Sequence, residues 1–328
     1  VLLKILTERW CFNGSFSPEI FLFALLMQAM ILAAGFGTRL LPYTLSRPKP
    51  LFPILNQPLL LLTIRRLQQA GFDHIVVNCH HLREQITHVL EKIPGVLVQE
   101  ETAILGTGGG LRLALAQFRD EPLLVTNGDI YHTIDYRHLY ESHIQNGGAV
   151  TMAMHDCPRF NTVSVRDGHV CSFDDRSQGQ VLAFTGLHVL EPKALEVIPA
   201  AKEYSIIDGY RRLLEQGQRI NTLRVDDCFW TDMGTVEDYL ALHGGLLTGR
   251  IPLWPELKAA LGAPLHAYCR ENYPSSPSYC LNDTVKLERD VTLRDWVCVG
   301  DGAVIGRHVQ LQRSVVWNGV RIAEGRKV

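Results

Sequence analysis

The sequence predicts an α/β protein: a Rossmann-like, doubly wound and mostly parallel sheet, followed by a short C-terminal left-handed parallel β-helix. Three observations carry this. From Met30 to about Met154, short β-rich runs alternate with longer amphipathic ones, the pattern of a parallel sheet covered by helices. The first of these runs ends in a glycine-rich turn, Gly35-Phe36-Gly37. Residues 283–328 repeat every six positions.

The expected strands are Met30 to Ala34, His74 to Cys79, Val96 to Gln99, Leu123 to Thr126 and Ala149 to Met154. Between them, Pro58 to Ala70 reads as a helix with proline near its start and Gly71 just past its end, and Leu82 to Ile93 as a second. The pattern then changes. Asp167-Gly168 between two apolar runs signals a hairpin, and a strand at Val181 to Val189 and a helix at Ile206 to Gln216 follow. Such an insertion would wall one side of a pocket. Residues 249–282 read as a linker with one short helix and a breaker cluster at Pro274-Ser275-Ser276-Pro277.

In the repeat, small aliphatics recur at Val285, Val291, Val297, Ala303, Val309 and Val315. Larger apolar groups fall two places later, at Leu287, Leu293, Val299, Ile305, Leu311 and Trp317. That is the spacing of a hexapeptide β-helix, in which each face stacks its apolar residue on the coil below. Only two or three coils fit, so the helix is truncated or another subunit covers its open end, a route to a homo-oligomer.

A chain of 328 residues suits a main domain, 27–248, plus this smaller appendage. With 46% hydrophobic and 20% charged residues it can bury a substantial core. A formal charge of −2 and no local basic patch argue against a nucleic-acid partner. The eight cysteines show no CxxC pair and read as reduced thiols, which places the chain in the cytoplasm. Lys4 and Arg9 precede an apolar run, Ile20 to Leu26, that is too short to span a bilayer. Residues 1–26 read as a non-native, upstream-translated or disordered extension ahead of a start at Met27 or Met30; the alternative is a membrane-associating tail.

Four clusters carry chemistry. Glycines at Gly35 and Gly37 let the backbone turn tightly and bring N–H groups to a phosphate chain. Two familiar phosphate motifs fail here, because GK[ST] is absent and Leu40 stands where a dinucleotide fingerprint needs its third glycine. The second cluster, Gly106-Thr107-Gly108-Gly109-Gly110, opens a helix, and its glycines permit a flat base close to the backbone. The third, Thr126-Asn127-Gly128-Asp129, sets a carboxylate at the end of a buried strand, where ligands bind in open α/β sheets. The fourth is Trp230-Thr231-Asp232-Met233-Gly234-Thr235.

With Pro42, Thr44, Pro48 and Lys49 added, the first cluster resembles the sugar-1-phosphate nucleotidyltransferases, whose opening motif is GxGTRLxPxTxxxPKP. The resemblance implies that Ala34, Gly35, Gly37 and Thr38 hold the nucleotide, that Arg39 and Lys49 contact its triphosphate, and that Gly106 and Gly108 lie against the base. It implies Asp129 and Asp232 as ligands of a catalytic magnesium (Mg2+), a metal that takes one or two carboxylates plus substrate phosphates. Asn127, Gly186 and Asp208 fall at its sugar-contacting positions. Many members carry an EKP segment where this chain has Ser172-Phe173-Asp174-Asp175-Arg176, so those contacts do not carry over. The implied reaction joins an NTP to a sugar 1-phosphate and releases pyrophosphate.

The catalytic region is similar to the N-acetylmuramate 1-phosphate uridylyltransferases, whereas the β-helix and the LGTGG loop look more like mannose- or heptose-1-phosphate guanylyltransferases. The expectation is guanylyl transfer, with uridylyl transfer to an amino-sugar 1-phosphate as the alternative and an inactive regulatory subunit as the rival of another class. His80-His81 are read as surface or pocket residues rather than metal ligands, and His308, which resembles the histidine of β-helix acyltransferases, is not read as a second active site because such enzymes need a longer solenoid.

Overall fold

In the computed structural model, residues 27–261 and 278–328 are described; the expectations for residues 1–26 and for the breaker cluster at 274–277 lie outside them. Nine strands form the main sheet: β1 Met27–Leu32, β2 Phe72–Cys79, β3 Val96–Glu100, β4 Leu123–Asn127, β5 Val150–His155, β6 Val163–Arg166, β7 His169–Ser172, β8 Gln180–Leu190 and β9 Ile220–Arg224. Their spatial order is β3-β2-β1-β4-β8-β5-β9-β7-β6. Strands β1 to β4 are mutually parallel, as a Rossmann-like half requires.

The other half corrects the expectation of a mostly parallel sheet. Strand β8 enters antiparallel between β4 and β5, and the β6–β7 hairpin is antiparallel too, so the sheet is mixed. The hairpin turns at Asp167 and Gly168, whose φ of 49° and 77° give the doubly left-handed geometry of a tight two-residue turn.

Both faces of the sheet are covered, and β1 shows why its sequence reads as a continuous apolar run. Ala29 and Ile31 point into a core shared with Leu60, Ile64 and Leu67 of α1 (Leu59–Gln69) and with Ile86 of α2 (Arg83–Leu90). Met30, one residue out of phase, points to the opposite core with Leu111 of α3 (Gly106–Ala114). Helix α4 (Tyr136–Asn146) joins the first layer through Leu139 and Tyr140, and α5 (Ile206–Glu215) joins the second through Ile206, Tyr210 and Leu213. Because β1 and β4 run in register with Leu32 beside Asn127, the glycine turn and the Asp129 turn leave the sheet side by side.

Helix α6 (Val236–Leu247) and the short α7 (Pro255–Leu261) pack in a third core with Trp254, Cys280, Trp296 and Cys298, which ties the C-terminal region to the main domain. Asn56, at a left-handed φ of 68°, donates from its amide to Asn282 Oδ1 at 2.8 Å and to the Val299 carbonyl at 2.9 Å across that junction.

The C-terminal residues form two three-stranded parallel sheets. One holds Ser278–Leu281, Thr292–Val299 and Gln310–Val316; the other holds Lys286–Leu287, Val304–Ile305 and Arg321–Ile322. Tyr279 pairs with Val297 and Lys286 with Val304, each eighteen residues on, which is three hexapeptides. Val297, Val299, Ala303, Ile305, Val309 and Leu311 are buried between the sheets. The period slips in the last copy. The pairing shifts between Arg294 and Val297, so Ser314 and Val316 stand beside Val297 and Val299, in the places expected of Val315 and Trp317, while Val315 and Trp317 pack on the main-domain core.

Candidate active site

The loop after β1 is three short helical turns, Thr38–Leu40, Tyr43–Leu45 and Lys49–Leu51, folded back on one another. Gly37 makes the fold-back possible: its φ is 64°, and a Cβ there would sit 2.9 Å from Thr44 Cγ2. Thr44 is fully buried and donates to the Gly37 carbonyl at 3.2 Å. The loop thereby delivers Lys49 inward, with 7% of its side chain exposed, and leaves Arg39 on the rim at 58%.

Asp129 follows β4, and Gly128 N–H donates to the Leu32 carbonyl at 2.9 Å, fixing the turn against the end of β1. Asp232 arrives from more than a hundred residues away. Its strand, Trp230–Asp232, pairs antiparallel with Ile130–His132 so that Asp232 lies beside Ile130, and Met233 N–H donates to the Asp129 carbonyl at 3.2 Å. The Lys49 ammonium donates to Asp129 Oδ2 at 2.5 Å and to Asp232 Oδ1 at 3.3 Å, and Arg39 donates to Asp232 Oδ2 at 3.2 Å. The two carboxylates are therefore no farther apart than two contacts to one nitrogen allow. Two anions and two cations form a closed cluster at the carboxyl edge of the sheet, where open α/β sheets bind ligands.

Three cavities meet at this cluster. One of about 250 Å3 is lined by Gly35, Gly37, Thr38, Arg39, Lys49 and Asp129. A second, about 220 Å3, is lined by Ala34, Gly35, Asn78, Gly106, Asn127 and Asp129. The third and largest, about 670 Å3, reaches under β8 and holds Arg39, Asn127, Asp129, Gly186 and Asp232. Eleven of the thirteen residues singled out in the sequence thus face one or another of these spaces.

The two exceptions have physical reasons. Gly108 is buried, its N–H donates to the Tyr204 carbonyl at 2.8 Å, and a Cβ there would meet the Ser205 carbonyl carbon at 2.9 Å. Its lack of a side chain lets α3 pack on the 204–206 segment. Thr107 and Gly106 are left to face the cavities, and Gly106 takes the left-handed φ of 68°. Asp208 does not reach the cavity lining; it pairs at 2.5 Å with Arg211, and it is Arg211 that lines the large cavity.

The large cavity also brings in side chains to which the sequence assigned no role. Trp230 donates from Nε1 to the Thr185 carbonyl at 2.8 Å, anchoring β8 where its pairing with β5 is irregular, between Phe184 and His188. Gly186, at φ 84°, sits in that irregularity with Asn127 directly over it. Arg159 lines the cavity too, stacked on Phe160 at 4.9 Å and paired with Asp238 at 2.6 Å, which holds its guanidinium above its ordinary pKa. In the divergent segment, Phe173 lines the cavity while Asp174 takes a two-pronged contact from Arg211. Trp230 and Phe173 lay within quoted segments without a role of their own, and Asn127 and Gly186 were expected at the sugar; Arg159 and Phe160 come from long-range packing that spacing does not encode.

His80 Nδ1 contacts the Glu101 carbonyl at 2.8 Å and His81 Nε2 the Thr44 carbonyl at 2.6 Å. Among the described residues no group of three or more His, Cys, Asp or Glu is arranged to hold a metal. No described helix is long and apolar enough to cross a membrane.

With this geometry in hand, similarity to known proteins is informative. The chain is 29% identical over 322 residues to a mannose-1-phosphate guanylyltransferase of Mycobacterium tuberculosis, covering 91% of this chain and 82% of that one. It is 30% identical over 251 residues to a UTP–glucose-1-phosphate uridylyltransferase of Synechocystis sp., covering 69% and 64%. The solved structure of HddC from Yersinia pseudotuberculosis complexed with GMP-PN superposes with a TM-score of 0.57 at 25% identity, over 67% of this chain and 99% of that one. The nucleotidyl transferase family model matches residues 28–248, from the first core strand to the end of α6. The chain belongs to the nucleotidyl transferase family.

Proposed function

We propose that this protein transfers a nucleoside monophosphate from an NTP to a sugar 1-phosphate, with GTP and mannose 1-phosphate as the favoured pair. The observation that carries the reading is the single ammonium of Lys49 shared by Asp129 and Asp232, with Arg39 beside it, where three cavities converge. The guanylyl choice rests on the similarity to a guanylyltransferase over nearly the whole length of this chain. The 30% identity to a uridylyltransferase keeps UTP as the alternative. An inactive regulatory subunit is disfavoured, because every charged member of the cluster is present and in contact.

The arrangement answers an electrostatic problem. Both reactants are polyanions, so they approach only where their charge is screened. An oxygen of the sugar phosphate attacks the α-phosphorus, a new P–O bond forms, and the α–β bridging P–O bond breaks with its electrons leaving on pyrophosphate. The attacking oxygen is already an anion, so no general base is needed. The Gly35–Thr38 turn offers backbone N–H groups to the triphosphate, and Lys49 and Arg39 meet charge that grows on the leaving group. Arg159 and Arg211 supply cations on the sugar side. Gly106 lies at the cavity expected to take the base.

Two convergent carboxylates without a third protein ligand fit Mg2+, which takes one or two carboxylates and completes its shell with phosphate oxygens and water. Asp129 and Asp232 would hold it, and when bound it would supply charge neutralisation to the phosphates. We read the two C-terminal parallel sheets as faces of a short left-handed β-helix, a surface for self-association. The six cysteines among the described residues are all free thiols, which suits a reducing cytoplasm.

Pyrophosphate release from four NTPs crossed with mannose, glucose and N-acetylated amino-sugar 1-phosphates tests the reading. GTP with mannose 1-phosphate is expected to be fastest. No release from any pair in the presence of Mg2+ would remove it.

A further inference from the structure

His188 lies on β8 just past the irregularity at Gly186 and lines the largest cavity, the one that also holds Asp129 and Asp232. It is 1% exposed, and neither ring nitrogen has a hydrogen-bond partner in the protein. A neutral imidazole carries one donor and one acceptor, and leaving both unmade in a dry interior is costly. The ring is nonetheless fixed, with Phe184 at 5.3 Å between centroids and Tyr210 edge-on at 5.6 Å. A polar ring ordered by its neighbours, but satisfied by none of them, is poised for a group from outside the chain.

The chemistry of that group follows. Burial pushes the imidazole down to about 3, so it is uncharged at any physiological pH and suits a neutral partner better than a carboxylate or phosphate. A hydroxyl, which both donates and accepts, matches it. Phe173, Phe184 and Ile206 line the same space and offer apolar surface to the C–H face of a pyranose ring. His188 is paired opposite Val125, two residues before Asn127, which puts it roughly 7 Å back from Asn127 along the sheet and away from the phosphate cluster.

We propose that His188 is a specificity-determining residue of the acceptor site, where its imidazole hydrogen-bonds one ring hydroxyl of the sugar 1-phosphate at the end remote from the phosphate. This rests on the reading of the large cavity as the sugar site.

The test compares wild type with His188→Phe and His188→Gln, using GTP, mannose 1-phosphate and its monodeoxy analogues. The KM for mannose 1-phosphate is expected to rise about threefold to tenfold in His188→Phe, as for one lost neutral hydrogen bond, with the KM for GTP unchanged and partial recovery in His188→Gln. The deoxy analogue that wild type handles worst should lose nothing further in His188→Phe. An unchanged sugar KM, or the same ranking of deoxy analogues in both proteins, overturns the proposal. Should wild type turn over no pair at all, the reaction assignment is what fails. The His188 15N resonances during titration of wild type with mannose 1-phosphate then decide the site alone, and they also serve if His188→Phe does not fold: perturbation supports the contact, and silence overturns it.

Discussion

Replacing Lys49 by methionine removes the ammonium that joins the two carboxylates while keeping a side chain of similar length in a slot where only 7% of it is exposed. Stability and turnover should respond differently. Breaking a fully buried ion pair costs about 3–5 kcal/mol, but Asp129 and Asp232 are 31% and 19% exposed, so water takes up part of their solvation and about 1–2 kcal/mol remains. For a domain of this size that lowers the melting temperature by roughly 2–8 °C. Losing a preorganised cation aimed at developing charge removes about 3 kcal/mol of transition-state stabilisation, roughly a hundredfold in kcat. Magnesium discriminates between the two effects. A divalent ion restores positive charge between the carboxylates, so it should raise the variant's melting temperature more than the wild type's, yet it cannot restore the lysine's contact with phosphate. Initial rates of pyrophosphate release, with thermal unfolding with and without MgCl2, measure both. A variant that turns over like wild type, or one that magnesium stabilises no more than wild type, refutes the reasoning.

Two further outcomes follow from the geometry. Gly186→Ala forces a side chain onto a φ of 84° and drives its Cβ into the Asn127 amide, 2.9 Å from Cγ, so the sugar-phosphate KM should rise more than the NTP KM, alongside a stability loss of about 1–3 kcal/mol. Gly217→Ala is the control: its φ is 73° but nothing lies within 4 Å, so it should lose stability and leave both KM values alone. Acid lability comes from buried histidines. Burial holds His188 and His243 below the ordinary 6.5, at about 3 and about 4, so the unfolded chain binds protons that the native one refuses. Their stabilising effect is complete above pH 6.5 and is lost as pH falls toward the folded values, by up to about 1.4 kcal/mol per unit for each group. Urea unfolding between about pH 7.5 and pH 4.5 should show this, and a flat profile from about 6.5 to 5 would contradict it.

The parallel half of the sheet was legible because each of its strands is an apolar run bounded by a helix with its own start and stop signals. Those local preferences agree with the final packing. The position of β8 was not. Its run from Val181 to Val189 marks a strand, but nothing in it says that the strand inserts antiparallel between β4 and β5, because that pairing depends on partners distant in sequence. The hexapeptide period was equally plain through Leu311. The slip at the last copy was not legible, because extending the six-residue spacing lands on Val315 and Trp317, whereas Ser314 and Val316 stand beside Val297 and Val299 and Trp317 packs on Phe52, 4.8 Å away.

The site divides along the same physical line. Backbone turns are local, so Gly35 and Gly37 stand out by type and spacing, while Arg39, Lys49, Asp129 and Asp232 stand out through the motifs that resemble the family's. The cavity proposed for the acceptor is formed where β8, α5 and the 159–163 segment meet, and many of its lining residues are apolar or ordinary ones whose meaning comes from what they surround. Gly108 and Asp208, expected at the base and the sugar from the resemblance, show how packing redirects such positions. A glycine run suggests an open floor for a base, yet Gly108 spends its missing side chain on helix packing against Ser205. A carboxylate near a pocket suggests a ligand contact, yet Asp208 orients Arg211, and the arginine faces the cavity. If the large cavity takes the sugar, substrate choice in this protein is set where sequence pattern is weakest, by residues such as His188, whose ring nitrogens the described residues leave without partners.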